Sequence, residues 1–107
     1  MLKSRKYPQT KTLPFWLKKA PPHPGTILHE KFLAPKGITQ MGLAAHLGWS
    51  PAKINELVRG KRGITPLIAL HFTDAFGTDP EYWMDLQSRY DLTEASLQYK
   101  KVARIKG

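Results

Sequence analysis

The chain has 107 residues, no cysteine, and a net charge of +9 from 17 basic and 8 acidic side chains. That length supports one modest core and excludes two domains. The missing cysteines exclude a disulfide framework and thiol catalysis and fit a reducing compartment. No apolar run approaches membrane-spanning length, so no membrane association is expected. Pro8, Gln9 and Thr10 fall where a secretory signal would carry its apolar core. No export signal is therefore expected, and a cytoplasmic location is.

The charge points to a polyanionic partner, and its distribution says more. Residues 1–63 carry 12 bases and only Glu30 and Glu56 as acids. Residues 64–99 carry the other six acids and one base, Arg89, and the bases return at Lys100, Lys101, Arg104 and Lys106. One part suits phosphate, and another faces something else.

Residues 1–22 hold six bases, no acids and four prolines, without helical or alternating period. They read as a basic, mostly irregular arm, either a solvated tail or an arm that follows a DNA backbone. A first helix is expected from Pro24, which suits a first turn. It runs through Ile27, Leu28 and Phe32 and ends at Pro35 and Gly37. A second is expected over Gln40–Leu47, capped by Thr39, with Leu43, Ala44 and Leu47 inward and Gly48 as its stop. Trp49 falls in the turn and reads as a core plug.

A third helix starts with Ser50 as cap and Pro51 at its first position, and stops at Gly60. Ile54, Leu57 and Val58 share one side. Ala52, Asn55, Glu56 and Arg59 share the other, with Lys53 on the flank. Nine residues make a helix of roughly 13 Å, which suits a major groove about 12 Å wide. A fourth helix starts at Thr65-Pro66 and ends at Gly77. Ile68, Ala69, Phe72, Ala75 and Phe76 form its core face, and Leu67 and Leu70 lie opposite, as in a helix buried on two sides. A fifth starts at Asp79-Pro80 and carries Tyr82, Trp83, Leu86 and Tyr90 as an aromatic-rich stripe. That stripe serves either a core or a two-fold seam. Tyr99, Val102 and Ile105 align loosely enough to allow a further helix within Thr93–Ile105.

Helix, three-residue turn, helix within an all-α domain is the helix-turn-helix pattern. The candidates for reading bases are Ser50, Lys53, Asn55 and Arg59. Arg59 suits guanine O6 and N7, Asn55 suits adenine, and Ala52 a thymine methyl or close approach. Thr39 and Gln40, with the first-turn amides of the second helix, suit a phosphate, and Lys61 and Arg62 add phosphate contacts that read no sequence. Glu56 is expected to pair with Lys53 or Arg59 and orient them, the alternative being cytosine N4. Asn55 has a second reading as a holder of the turn into the basic loop. No Ser/His/Asp order, glycine-rich phosphate loop, carboxylate pair or paired-histidine spacing is present, so no catalysis, metal or cofactor is expected. The aromatics sit at core spacing, which argues against a single-stranded RNA binder.

The spacing from Gln40 through Leu43-Ala44, Leu47-Gly48, Ser50, Ile54 and Gly60 resembles the Cro and phage-repressor superfamily, the XRE family. The wider pattern is His23-Pro24-Gly25, Ile54-Asn55-Glu56-Leu57, Gly60-Lys61-Arg62-Gly63-Ile64-Thr65, Phe76-Gly77-Thr78, Pro80-Glu81, Trp83, Leu86-Gln87 and Tyr90-Asp91-Leu92. It resembles the HigA-type antitoxins, a group that includes virulence-associated protein I. The resemblance spans His23 to Leu92. It divides the chain into an arm (1–22), a helix-turn-helix domain (23–92) and a C-terminal helical tail (93–107).

This resemblance implies an all-α, five-helix, lambda-repressor-like domain with room for an extra C-terminal helix. It also implies a homodimer on a two-fold symmetric operator of double-stranded DNA, which neutralises a HigB-type toxin, a ribosome-dependent mRNA endonuclease, and represses its own operon. The residues alone stop at a basic helix-turn-helix DNA binder, and a plain repressor without a toxin partner fits them equally.

The sequence departs from the family pattern at Ala45, where many relatives are basic, and at Trp49, which replaces a smaller aliphatic. It departs again at Leu67, Ile68 and His71, which replace residues that are commonly polar. The greasier fourth helix places a subunit contact at Leu67 and Leu70, with Tyr82, Trp83, Leu86 and Tyr90 of the fifth. The acidic 64–99 region is the candidate toxin-facing or dimer surface.

Overall fold

The structure, a computed structural model, describes residues 21–106. The predicted basic arm lies outside the described residues except for Pro21 and Pro22. The described residues form a helical domain without strands.

Helix α1 (Pro24–Ile27) starts on a side-chain cap, the His23 Nδ1 accepting the Gly25 N–H at 2.9 Å. It continues as a π-helical stretch (Leu28–Leu33) and a 3-10 turn (Ala34–Lys36), and Gly37 ends it in the left-handed region. The sequence places these ends correctly but does not reveal the widened turn. Ala34 N–H bonds His29 C=O, five residues back. Pro35 follows with no N–H to donate and a ring that crowds the carbonyl four residues behind it.

Helix α2 (Gln40–Leu47) takes its predicted cap, Thr39 Oγ1 accepting the Gly42 N–H at 2.9 Å. Gly48 closes it with φ +74°, which lets Trp49 N–H return to Ala44 C=O at 2.8 Å. Helix α3 (Pro51–Val58) is capped by Ser50 Oγ on the Lys53 N–H. Helix α4 (Pro66–Phe76) is capped by Thr65 Oγ1 on the Ile68 N–H. Helix α5 (Pro80–Ser96) begins after Asp79, whose side chain makes no cap hydrogen bond.

Leu28, Leu33, Leu43, Ala44, Ile54, Leu57, Ile64, Ile68, Ala69 and Phe72 form one core. The aromatic centre of that core is Trp83. Its ring lies 4.8 Å from Phe72 and 5.1 Å from Phe32, and its Nε1 donates to Thr78 Oγ1 at 2.7 Å. This corrects the placement of Trp83 in a subunit seam. It is 0% exposed, with its polar handle satisfied inside the monomer. Leu86 packs on the same core, and the half-buried Tyr90 ring lies edge-on to His23 at 4.9 Å.

Helix α4 is buried on one side only. Leu67 (64% exposed) and Leu70 (53% exposed) face outward. A second correction concerns the C-terminus. Helix α5 runs through Leu92 to Ser96, so a boundary at 92/93 falls within it, and residues 99–106 hold no helix. The physical reason is local. Lys100, Lys101, Arg104 and Lys106 repel one another, and Tyr99, Val102 and Ile105 have no core to pack on.

Candidate nucleic-acid interface

Helices α2 and α3 meet at the turn Gly48–Trp49–Ser50, and Ile54 and Leu57 anchor α3 to the core with no exposure. Burying those two residues turns Ala52, Asn55 and Arg59 to solvent. The last turn of α3 is fixed from behind by α1. A Cβ added to Gly25 would lie 1.6 Å from the Leu57 carbonyl oxygen, so only glycine permits this approach. Gly60, at φ +75°, then turns the chain away, and Lys61 N–H closes on Glu56 C=O at 2.8 Å. The helix end and the start of the basic loop are therefore one hydrogen-bonded unit.

Of the predicted site residues, Gln40 and Asn55 are brought together. Asn55 Nδ2 donates to Gln40 Oε1 at 3.1 Å. The Asn55 side chain thus ties α3 to α2 and does not hold the turn into the loop. Thr39 and Ser50 hydroxyls are used as caps, and each keeps its O–H free to donate to an anion. With Gly42 N–H capped, the Gln40 and Met41 amides are the open donors of the α2 N-terminus.

Lys53 is partly drawn aside, its Nζ lying 3.9 Å from the Trp49 ring centroid. Trp49 is half-buried, packed edge-on to His71 at 5.2 Å and near Phe72. It is a plug that also holds a cation.

Glu56 pairs with Arg62, not with Lys53 or Arg59. One carboxylate oxygen accepts from Arg62 Nε at 3.0 Å and Nη2 at 2.8 Å. The correction has a geometric cause. The turn at Gly60 folds the loop back along α3, so a residue six positions on comes nearer than the helical neighbours. Arg59 and Lys61 remain exposed cations.

Two residues that the sequence reading quoted only as part of the family pattern also support the site. Gln87 holds the basic loop from behind. Its Oε1 accepts the Ile64 N–H at 2.6 Å, and its Nε2 donates to Asp91 Oδ1 at 2.9 Å. An amide four residues after buried Trp83, on the same α5 stripe, was the available signal. His23 lies beneath Gly60, beside Tyr90 and within reach of the Asp91 charge. Burial lowers its pKa below 6.5, and Asp91 opposes that shift. Neutral His23 is the form that can accept the Gly25 N–H at Nδ1.

Among the described residues no group of three or more His, Asp and Glu is placed to hold a metal ion. No helix of the described residues is long and apolar enough to cross a membrane.

No family model matches the sequence. Individual relatives do. Virulence-associated protein I of Dichelobacter nodosus is 47% identical over 73 residues, 68% of either chain. Antitoxin HigA-1 of Vibrio cholerae is 31% identical over 88 residues, 82% of this chain and 83% of its own. The Pseudomonas aeruginosa antitoxin HigA, solved with the higBA promoter, superposes with a TM-score of 0.70 at 38% identity, covering 73% of this chain and 85% of that one. The relatives are antitoxins, virulence-associated proteins and helix-turn-helix regulators. With the helix order, the caps and the basic loop in place, these likenesses settle the family: the chain belongs to the HigA-type antitoxins of the helix-turn-helix superfamily.

Proposed function

We propose that the chain is a sequence-specific DNA-binding antitoxin, which represses its own toxin–antitoxin operon as a homodimer and neutralises a HigB-type mRNA-endonuclease toxin. The carrying observation is that Ala52 and Asn55 of α3, Arg59 at its C-cap and Lys61 of the following loop are all exposed, with Asn55 bonded to Gln40 of α2. Relatives solved with operator or promoter DNA support the DNA-binding reading. In this reading Arg59 pairs with guanine, Asn55 with adenine, and Ala52 lies against a thymine methyl. Ser50 and Lys53, the latter from its perch on Trp49, are the remaining base candidates, while Gln40, the open α2 amides, Thr39 and Lys61 grip phosphates, joined by Arg62 once it leaves Glu56. The chain itself performs no catalysis.

Of the residues assigned to the subunit contact, Leu67 and Leu70 of α4 and Tyr82 of α5 are exposed, Leu86 and Tyr90 are half-buried, and Trp83 belongs to the core. A two-fold contact there would set the spacing of two α3 helices. The test is a binding titration of the full chain against duplex from its own promoter, with single-stranded RNA as competitor. Protection of two half-sites about 34–36 Å apart is expected. A single unpaired footprint would overturn the dimer, and displacement by RNA the DNA reading. Growth arrest by the adjacent gene, relieved by this chain, tests the toxin half, and absence of arrest leaves a repressor without a toxin.

A further inference from the structure

We propose that residues 97–106 are a second nucleic-acid contact, a basic tail that follows the phosphate backbone of duplex DNA beyond the footprint of the helix-turn-helix. The inference rests on the DNA-binding reading above and extends it to a segment that the helix-turn-helix pattern does not include.

Four cations, Lys100, Lys101, Arg104 and Lys106, fall within seven residues, and no acid follows Glu94. All four are exposed in a segment without regular structure, and no described acid pairs with them. The acid nearest the root, Glu94, is exposed and makes no ion pair with them among the described residues, and Asp91, one turn further back, accepts from Gln87. A segment of this kind is unfavourable to fold on the domain, yet loses little on lying along a polyanion, where each neutralised phosphate releases a counterion.

Its position suits the task. The root of the tail is carried by α5, and α5 is bonded to the basic loop through Ile64 N–H and Gln87. Lys61, Arg62 and Gly63 share an open cleft with Gln87, Tyr90 and Asp91. Ser96 lies five residues past Asp91, about 7.5 Å along the helix. From there ten extended residues reach roughly 33 Å, close to one turn of duplex. The tail can therefore reach phosphates that α2, α3 and the loop do not. The interleaved Tyr99, Val102 and Ile105 fit a protein groove less well, since they are separated by cations that a groove would have to desolvate.

The experiment compares the full chain with a variant carrying Lys100→Gln, Lys101→Gln, Arg104→Gln and Lys106→Gln together, and with Lys61→Gln as reference. Affinity for operator and for scrambled duplex is followed across salt concentration. The tail variant should lower the slope of log K against log salt by up to about 3.6, and Lys61→Gln by about 0.9, at roughly 0.9 per phosphate. The ratio of operator to scrambled affinity should stay unchanged in the tail variant. An unchanged slope there, beside a lowered slope in Lys61→Gln, overturns the tail and leaves the interface standing. Failure of the unmodified chain to bind either duplex overturns both readings. A tail variant with normal slope that no longer holds a co-expressed toxin makes the segment a protein-docking strip instead.

Discussion

Asn55 Nδ2 donates to Gln40 Oε1 at 3.1 Å, across the turn that separates α2 from α3. The residue assigned to a base and the residue assigned to a phosphate thus orient each other before DNA arrives. Gln40→Ala and Asn55→Ala should each weaken operator binding, and their effects should not add. A double-mutant cycle in operator affinity should give a coupling of roughly 0.5–3 kcal/mol, the range for residues in direct contact. Additive losses would mean that the bond plays no part in recognition.

Arg59 and Lys61 are two residues apart and both exposed, yet they are assigned opposite tasks. Arg59→Ala should cost roughly 1–3 kcal/mol at one base pair and relax specificity there. Lys61→Ala should weaken all sequences alike and reduce the salt slope by about one. A panel of single-base operator variants separates the two. A changed sequence preference in Lys61→Ala would reverse the assignment.

Glu56 holds Arg62 through two hydrogen bonds to one carboxylate oxygen, and both side chains are close to half exposed. An exposed pair contributes at most about 1 kcal/mol to folding, so Glu56→Gln should leave thermal stability almost unchanged. It should raise affinity for every duplex, because an acid leaves the groove face and Arg62 is released to phosphate. Anisotropy titrations at two salt concentrations check this. A loss confined to one base pair would show instead that Glu56 accepts from cytosine.

Helix boundaries were legible because their signals are local. Thr39, Ser50 and Thr65 cap their own helices, and Gly48, Gly60 and Gly77 end theirs, within a few residues of sequence. The outward face of α3 followed from the period of Ile54 and Leu57. Cross-element pairs were not legible. Gln40–Asn55, Glu56–Arg62 and Ile64–Gln87 depend on how turns fold the chain back, which spacing does not encode. Trp83 and Tyr82 share one aromatic run, yet only the structure separates the buried ring from the exposed one. The helical tail failed because a loose apolar alignment cannot form a helix without a surface to bury it.

Gly25 brings the backbone of α1 against the last turn of α3. Any Cβ there would overlap the Leu57 carbonyl, with Val58 Cα only 3.1 Å away. Neither partner is a flexible side chain, so relief requires α1 and α3 to part. Gly25→Ala should therefore cost several kcal/mol, as overpacked core sites do. At about 4–8 °C per kcal/mol for a domain of this size, the melting temperature should fall by well over 10 °C. Circular dichroism melts check this. An unchanged melting temperature would mean that the helices slide apart without loss.

His23 makes the same junction dependent on pH. Its Nδ1 accepts the Gly25 N–H, which only the neutral ring can do, and burial lowers its pKa below the unfolded value of 6.5 against the opposing charge of Asp91. A group whose folded pKa is lowered contributes stability that is complete above its unfolded pKa. That contribution is lost as pH falls through the folded value. The cap, the Tyr90 contact and the support under Gly60 should thus be intact at pH 7.5 and weaken below pH 6.5. His23→Asn keeps a capping side chain that does not titrate. Denaturant unfolding from pH 5 to 8 should show stability falling toward acid in the natural chain, with that part of the slope absent in His23→Asn. Equal slopes in the two proteins would place the acid sensitivity elsewhere.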